Sequence, residues 1–531
     1  MSPVNSHLRC ARNPLFYLPG GLPALGFAVF YALRESSMAG TLLGIDVGSS
    51  SVKVSLVDID SGKVLTHATS PERELEITAL QPGWAEQHPD LWWEHASRAI
   101  QGVRSARPKE LSALKAIGIA YQMHGLVLVD REGCPLRPSI IWCDSRAVTL
   151  GAEAFKKLGE EHCLSRFGNS PGNFTAAKLA WVKQNEPELL AKAAYMMLPG
   201  DYVALRLTGR FGTTPQGLSE GILWDFREGR PAVQVLESFG LPSSLIPPVS
   251  DSIGEFATVS SEAARELGIP EGVPVSYRAG DQPNNALALN VLQPGEVAAN
   301  AGTSGVVYGV TDSLGVDRAS RVNNFLHVNS TEKAQKVGVL MCVNGAGSFY
   351  RWLRQTFAQS VGYAELNALA ASAPIGARGV VALPYGNGAE RTLGNRSPGA
   401  SLEGLQLNIH EAKDIFRAAQ EGVVFALNYG LEIMRSMGLK PLRVRAGFAN
   451  MFQSSLFQHT FATTTGVPLE LYTTDGSEGA ARAAGIGAGL LSISDAFNGL
   501  HREATVEPDS GAREATVEAY NRWKEVLQRH L

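Results

Sequence analysis

Two short stretches of small residues interrupt strand-like runs and set the chemical question. In LGIDVGSSSVKVSLVD, residues 43–58, a Val- and Ile-rich alternation breaks at Asp46-Val47-Gly48-Ser49-Ser50-Ser51. Alternation on both sides predicts two strands joined by a tight turn. Backbone N–H groups in such a turn can form an anion-binding nest, Gly48 permits close approach, and the hydroxyls of Ser49, Ser50 and Ser51 add donors for a phosphate. Asp46 sits badly against a bare phosphate, so a phosphate here calls for a Mg²⁺ ion between the two. The stretch VAANAGTSGVVYGVTD, residues 297–312, repeats the design around Ala301-Gly302-Thr303-Ser304-Gly305. For each stretch alone, an ordinary hairpin turn is the competing reading.

The elements that must carry these turns alternate from Thr41 onward between strand-like runs and amphipathic helical stretches, the pattern of an α/β protein. LKAIGIAYQMHGLVLVD, residues 114–130, predicts a buried strand, a loop over Gln122 to Gly125 holding Met123 and His124, and a second strand. PDLWWEHASRAIQGV, residues 89–103, has helical spacing. Residues 186–209 predict a helix, a Pro-Gly break and a second helix ending at Gly209, and proline-rich 240–251 predicts a loop. Residues 442–491 predict a strand, a Gly-containing loop, a helix, a strand and a Gly/Ala-rich helix, whose small residues suit close approach to another helix or to a flat ligand.

A chain of 531 residues, 44% hydrophobic and 18% charged, is too long for one core, so two large domains with a ligand cleft between them are expected. The formal net charge of -4 forms no basic stripe and excludes nucleic acid as the main partner. Cys10, Cys134, Cys143, Cys163 and Cys342 are scattered without a C-x-x-C pair, which indicates reduced thiols and neither a disulfide framework nor a zinc site. Residues 15–33 form an uncharged run of membrane-spanning length after Arg9 and Arg12, but Pro19, Gly20, Gly21 and Pro23 break it as a helix. The preferred reading starts the protein at Met38, in the cytoplasm, with no stable membrane partner.

Three segments in order, GIDVGSSSVKV, RAGDQPNNAL and NAGTSGVV, followed by the strand-loop-helix around Gly447, resemble the FGGY carbohydrate kinases from about Thr41 to Leu491. Residues 121–147, YQMHGLVLVDREGCPLRPSIIWCDSRA, and 171–189, PGNFTAAKLAWVKQNEPEL, are similar to the xylulokinase members. The resemblance implies two actin-like (ribonuclease H-like) α/β domains flanking a deep catalytic cleft. It divides the chain into an extension at 1–40, a sugar-binding domain at 41–288, a nucleotide-binding domain at 289–495 and a helical tail at 496–531.

By the same resemblance, Asp281 is the catalytic base, and Met123, His124, Asp281 and Gln282 contact the sugar. Asp46 serves the Mg²⁺ on ATP. Gly48, Ser49, Ser50, Gly302, Thr303 and Ser304 face the phosphates, and Gly447 and Asn450 the adenine. A carboxylate such as Asp281 can take the hydroxyl proton late in transfer without a raised pKa, because a loose transition state demands little early deprotonation. Trp142, Asp144 and Arg146 either orient the sugar loop or form an internal Asp–Arg pair. The adenine loop departs from the family's usual glycines with Ala446 and Phe448, and Phe448 either stacks on adenine or fills core. The implied reaction is ATP-dependent phosphorylation of a ketopentose, D-xylulose on its 5-hydroxyl. Small-molecule sugar and ATP are the partners, and a homodimer is left open. The alternatives are an FGGY kinase for another ketose or polyol and a catalytically weak actin-like ATP-binding sensor.

Overall fold

Strands Thr41–Val47 (β1) and Val52–Asp58 (β2) pair antiparallel as the expected hairpin, in the register Val47 opposite Val52. The computed structural model describes residues 40–531; Cys10, the apolar run at 15–33 and the Met38 start lie outside them. Strand Val64–Ser70 (β3) extends the hairpin, and Leu114–Tyr121 (β4) lies parallel to β1. Strands Ile253–Thr258 (β5) and Pro274–Gly280 (β6) complete a six-stranded sheet in the order β5-β6-β4-β1-β2-β3. Helix Pro89–Ala106 (α1), with proline in its first turn and His88 capping it, buries Trp92, Ala96, Ile100 and Val103 against β2 and β3.

Residues 186–209 differ from the expected helix pair. Only Pro187–Leu190 is helical in the first part, and Tyr195–Met197 is a strand paired with Val127–Val129. Pairing satisfies the backbone of a segment whose Met196 and Met197 are buried. Helix Pro199–Thr208 (α2) then runs to Gly209, whose φ of 70° makes the left-handed cap.

A second sheet repeats the plan. Strands Glu296–Ala301 (β7) and Gly305–Thr311 (β8) form its hairpin, joined by Asn323–Leu326 (β9) and Val337–Val343 (β10) on one side. Arg443–Gly447 (β11) lies parallel to β7, Leu469–Thr473 (β12) parallel to β11, and His501–Val506 (β13) closes the edge antiparallel, giving seven strands in the order β9-β10-β8-β7-β11-β12-β13. In both sheets an antiparallel hairpin leads through its first strand to parallel neighbours and ends on an antiparallel edge, the architecture of a duplicated unit.

Helix Asp281–Ala288 (α3) leaves β6, and helix Ala346–Phe357 (α4) packs on helix Ala412–Ser436 (α5), which backs the second sheet. Helix Gly476–Gly487 (α6) leaves β12 of the second sheet yet packs across β1, β4 and β6 of the first. Gly44 and Gly118 allow this: a Cβ there would overlap the carbonyl oxygens of Ser477 and Ala480. Gly479 packs on Ala288 of α3, and Asn284 Nδ2 donates to Gly476 O at 2.8 Å. The small residues of α6 thus meet strands and a helix, and residues 39–531 form one compact unit. Beyond 496, the chain supplies a strand as well as the expected helix: after β13, helix Arg513–His530 (α7) buries Trp523, whose Nε1 donates to Ala382 O at 3.0 Å. Cys134, Cys143, Cys163 and Cys342 are free thiols, and no described helix is long and apolar enough to cross a membrane.

Candidate active site

Three carboxylates gather where the strands end. Asp46 closes β1, Asp281 opens α3 directly after β6, and Asp475 caps α6, accepting from Glu478 N at 3.1 Å. Burial, then the charges of Asp281 and Asp475, push the Asp46 carboxyl up to about 7 against the pull of Lys53. Lys53 itself is paired with Asp475. Burial raises Asp281 to about 6, restrained by hydrogen bonds from the backbone and side chain of Gln282. The expectation of an ordinary carboxylate is therefore revised: Asp281 is a stronger proton acceptor that remains mostly ionised at neutral pH. Three acids facing one lysine leave excess negative charge, which suits a divalent cation. Among the described residues no group of three or more His, Cys, Asp or Glu side chains has metal-holding geometry.

The two small-residue turns differ in what they offer. In the first, Gly48 N–H closes onto Ser51 O at 3.0 Å, so that amide is not free for an anion as expected. Ser49 Oγ accepts from Trp142 Nε1 at 3.3 Å, Ser49 O accepts from Gln87 Nε2 at 2.7 Å, and Ser50 keeps an exposed side chain. In the second, Gly302 N–H donates to Asn300 Oδ1 at 2.9 Å. The carbonyls of Gly302 and Thr303 accept from Gly347 N at 2.9 Å and Ser348 N at 3.2 Å, which docks the turn on the start of α4. Ser304 Oγ leans toward Asn344 O at 3.5 Å, while Thr303 is exposed.

A cavity of about 600 Å³ opens beside this second turn, lined by Gly302, Thr303, Ser348, Tyr350, Asn367 and Asn450. Its wall is rigid: Tyr350 Oη donates to Asn367 Oδ1 at 3.0 Å, Gln420 Nε2 donates to both within 2.9 Å, and Ser454 Oγ donates to Gln420 Oε1 at 2.7 Å. A smaller cavity of about 270 Å³, lined by Gln282, Asn285, Asn300, Gly447, Asn450 and Asp475, leads to the carboxylates. Gln282 thus faces the smaller cavity beside Asn300 and Asn450.

On the other side of Asp281, Met123 and Glu220 close on Gly280, where a Cβ would overlap both. His124 has a φ of 62°, and its ring sits edge-on to Phe174 at 4.7 Å and tilted against Phe325 at 5.3 Å. Lys178 Nζ fixes this loop by donating to His124 O at 2.8 Å and Ile141 O at 2.9 Å. Burial, then Lys178, lowers His124 to about 3, so its ring is neutral. Since a carbonyl only accepts, the 2.9 Å contact between His124 Nδ1 and Glu220 O puts the ring proton on Nδ1 and leaves Nε2 as an acceptor.

Models of the FGGY family of carbohydrate kinases match this chain with their N-terminal domain at residues 41–288 and their C-terminal domain at 297–488. The chain belongs to that family. It is 30% identical over 446 residues to the xylulose kinase of Escherichia coli (strain K12), covering 83% of this chain and 88% of that protein. The crystal structure of a xyloylose kinase from Brucella ovis superposes with a TM-score of 0.84 at 28% identity, covering 92% of this chain and 99% of that one. A gluconate kinase from Lactobacillus acidophilus shares the fold, with a TM-score of 0.84 at 21% identity over 92% and 98% of the two chains.

As an FGGY kinase, the protein uses ATP to phosphorylate a carbohydrate. Several residues around its cleft escaped the sequence reading. Asp475 carried a signal, since an Asp three positions before Glu478 at a helix start is a cap pattern. Lys178 sat in a segment read only for its resemblance, and Glu220 in one that offered no motif. Arg146 forks onto Asp144 at 2.7 to 3.0 Å, pairs with Glu86 at 2.6 Å and lies 3.8 Å over Trp84, so this pair is internal. Phe448 is 40% exposed, so it does not fill core.

Proposed function

We propose that this FGGY kinase phosphorylates a ketopentose, D-xylulose on its 5-hydroxyl, with Asp281 as the base. One observation carries the reading: Asp281, half-buried and raised in proton affinity, directly follows Gly280, on which Met123 and Glu220 close, and directly precedes Gln282, which lines the smaller cavity. A sugar held beside Met123 and His124 presents its hydroxyl to Asp281. The hydroxyl oxygen attacks the γ-phosphorus, the bond to the bridging oxygen of ADP breaks, and the proton passes to an Asp281 oxygen. The large cavity takes the nucleotide, with Asn450 on its wall, Gly447 in the smaller cavity beside it and the Gly302–Thr303 turn toward the phosphates. Asp46 would hold Mg²⁺, which neutralises phosphate charge and takes its other ligands from water and phosphate oxygens. Ser49 and Ser50, in the turn that follows Asp46, would add hydroxyl donors to the phosphates.

The xylulose assignment is supported by the relatives' names and by the QMHG loop. Another ketose or polyol is the second reading, because the fold alone does not fix the sugar: a gluconate kinase shares it. The test of the mechanism is Asp281→Ala. Sugar phosphorylation should fall by about 10³-fold or more while ATP binding, read by titration calorimetry, stays within about threefold. Near-normal turnover would remove Asp281 as the base.

A further inference from the structure

Glu220 ends the short helix Pro215–Glu220, is buried, and belongs to none of the motifs that identified the family. Its groups serve three different directions. The backbone carbonyl receives the His124 Nδ1 proton at 2.9 Å. Oε1 lies 3.4 Å from His124 N, a long contact at the limit of a hydrogen bond. Oε2 points at Gly280, the residue before the base, where only the missing Cβ gives it room.

Among the described residues no cation forms an ion pair with this carboxyl. Lys178, the cation that acts on it, commits its ammonium to the carbonyls of His124 and Ile141. Burial and the neighbouring Asp281 charge push the group well above the usual carboxylate range, and a carboxyl buried without an ion pair favours its protonated form. A protonated carboxyl carries an O–H donor that an ionised one lacks. Beside it, His124 Nε2 is an acceptor without a donor among the described residues.

We infer that Glu220 and His124 form a paired donor and acceptor that reads the α-hydroxyketone unit of the sugar, Glu220 donating to the ketone oxygen and His124 Nε2 accepting from the neighbouring hydroxyl. The inference rests on the ketopentose reading and deepens it. A ketone oxygen can only accept, so it matches a donor held in place. A polyol, with a hydroxyl at the same carbon, meets the Glu220 proton with a group that must also place a proton of its own.

The test uses the full chain and compares D-xylulose with xylitol, which lacks the ketone, measuring kcat and KM for each and KM for ATP. Wild type should favour D-xylulose by about tenfold or more in kcat/KM. Glu220→Gln keeps the shape and a neutral N–H donor, so it should retain that preference within about threefold. Glu220→Ala should raise KM for D-xylulose by about tenfold, leave KM for ATP unchanged and erase the preference over xylitol. An Ala variant with wild-type sugar KM and preference overturns the inference. A Gln variant as impaired as a fully ionised site would require, with preference lost, overturns it even where the Ala variant does not fold. Wild type that turns over neither compound overturns the ketopentose reading and this inference together, whereas normal wild-type turnover with unmoved variants overturns this inference alone.

Discussion

The Gly48 and Gly302 turns come from hairpins of the same design, yet they do different work. The first closes on itself through Gly48 N–H and Ser51 O, and its contribution to the cleft is charge: Asp46, raised to about 7 by burial and by two further acids. The second turns its carbonyls onto the start of α4, and its contribution is room: a cavity of about 600 Å³ with Thr303 exposed at the edge. The two hairpins offer equivalent strand ends, and the residues beside each make one a charged wall and the other the edge of a cavity. Asp281 stands at a third strand end, after β6, where the two requirements meet.

Substitution can break that division of labour. Asp46→Asn removes the charge while keeping the shape. Transfer should fall by about 10²-fold, and the Mg²⁺ concentration needed for half-maximal rate should rise; an unchanged Mg²⁺ dependence would detach Asp46 from the metal. Gly347→Ala acts on the other turn, since a Cβ there would overlap Gly302 O. It should raise KM for ATP by about tenfold and leave the sugar KM within about twofold. Equal changes in both constants would mean that the second turn serves sugar and nucleotide alike.

The smallest effects are those of pH. With Asp281 near 6 in the free protein, kcat/KM for the sugar should fall as pH drops through 6 and level above 7. Stability should move oppositely. Asp46 and Asp281 hold their protons more tightly folded than unfolded, so their stabilising contribution is complete below the ordinary carboxylate range and is lost as pH rises through 6 to 7. Asp46→Asn should therefore be more stable than wild type at pH 8, by on the order of 1–3 kcal/mol, with the difference smaller at pH 5 and closing only below the ordinary carboxylate range. Thermal unfolding of the two proteins at both pH values would measure it.

Much of this was legible in residue order. Alternation of β-branched residues located the hairpins, and the loop from Gln122 to Gly125 fell between the two strands found there. What could not be read was where distant segments meet. The small residues of α6 suited a helix or a flat ligand, and only the crossing from one sheet to the other shows why Gly44 and Gly118 must lack side chains. Tyr195–Met197 looked helical because its partner strand, Val127–Val129, lies far off in sequence. Glu220 was invisible for a related reason. An isolated glutamate has no spacing to betray it, and its meaning comes from the Gly280 backbone and the His124 ring that fold against it.

The most direct test of the account is ADP release by the purified protein with ATP and Mg²⁺, across ketopentoses, ketohexoses and polyols. The account predicts strong turnover selective for D-xylulose; equal turnover across the panel, or release independent of any sugar, would contradict it.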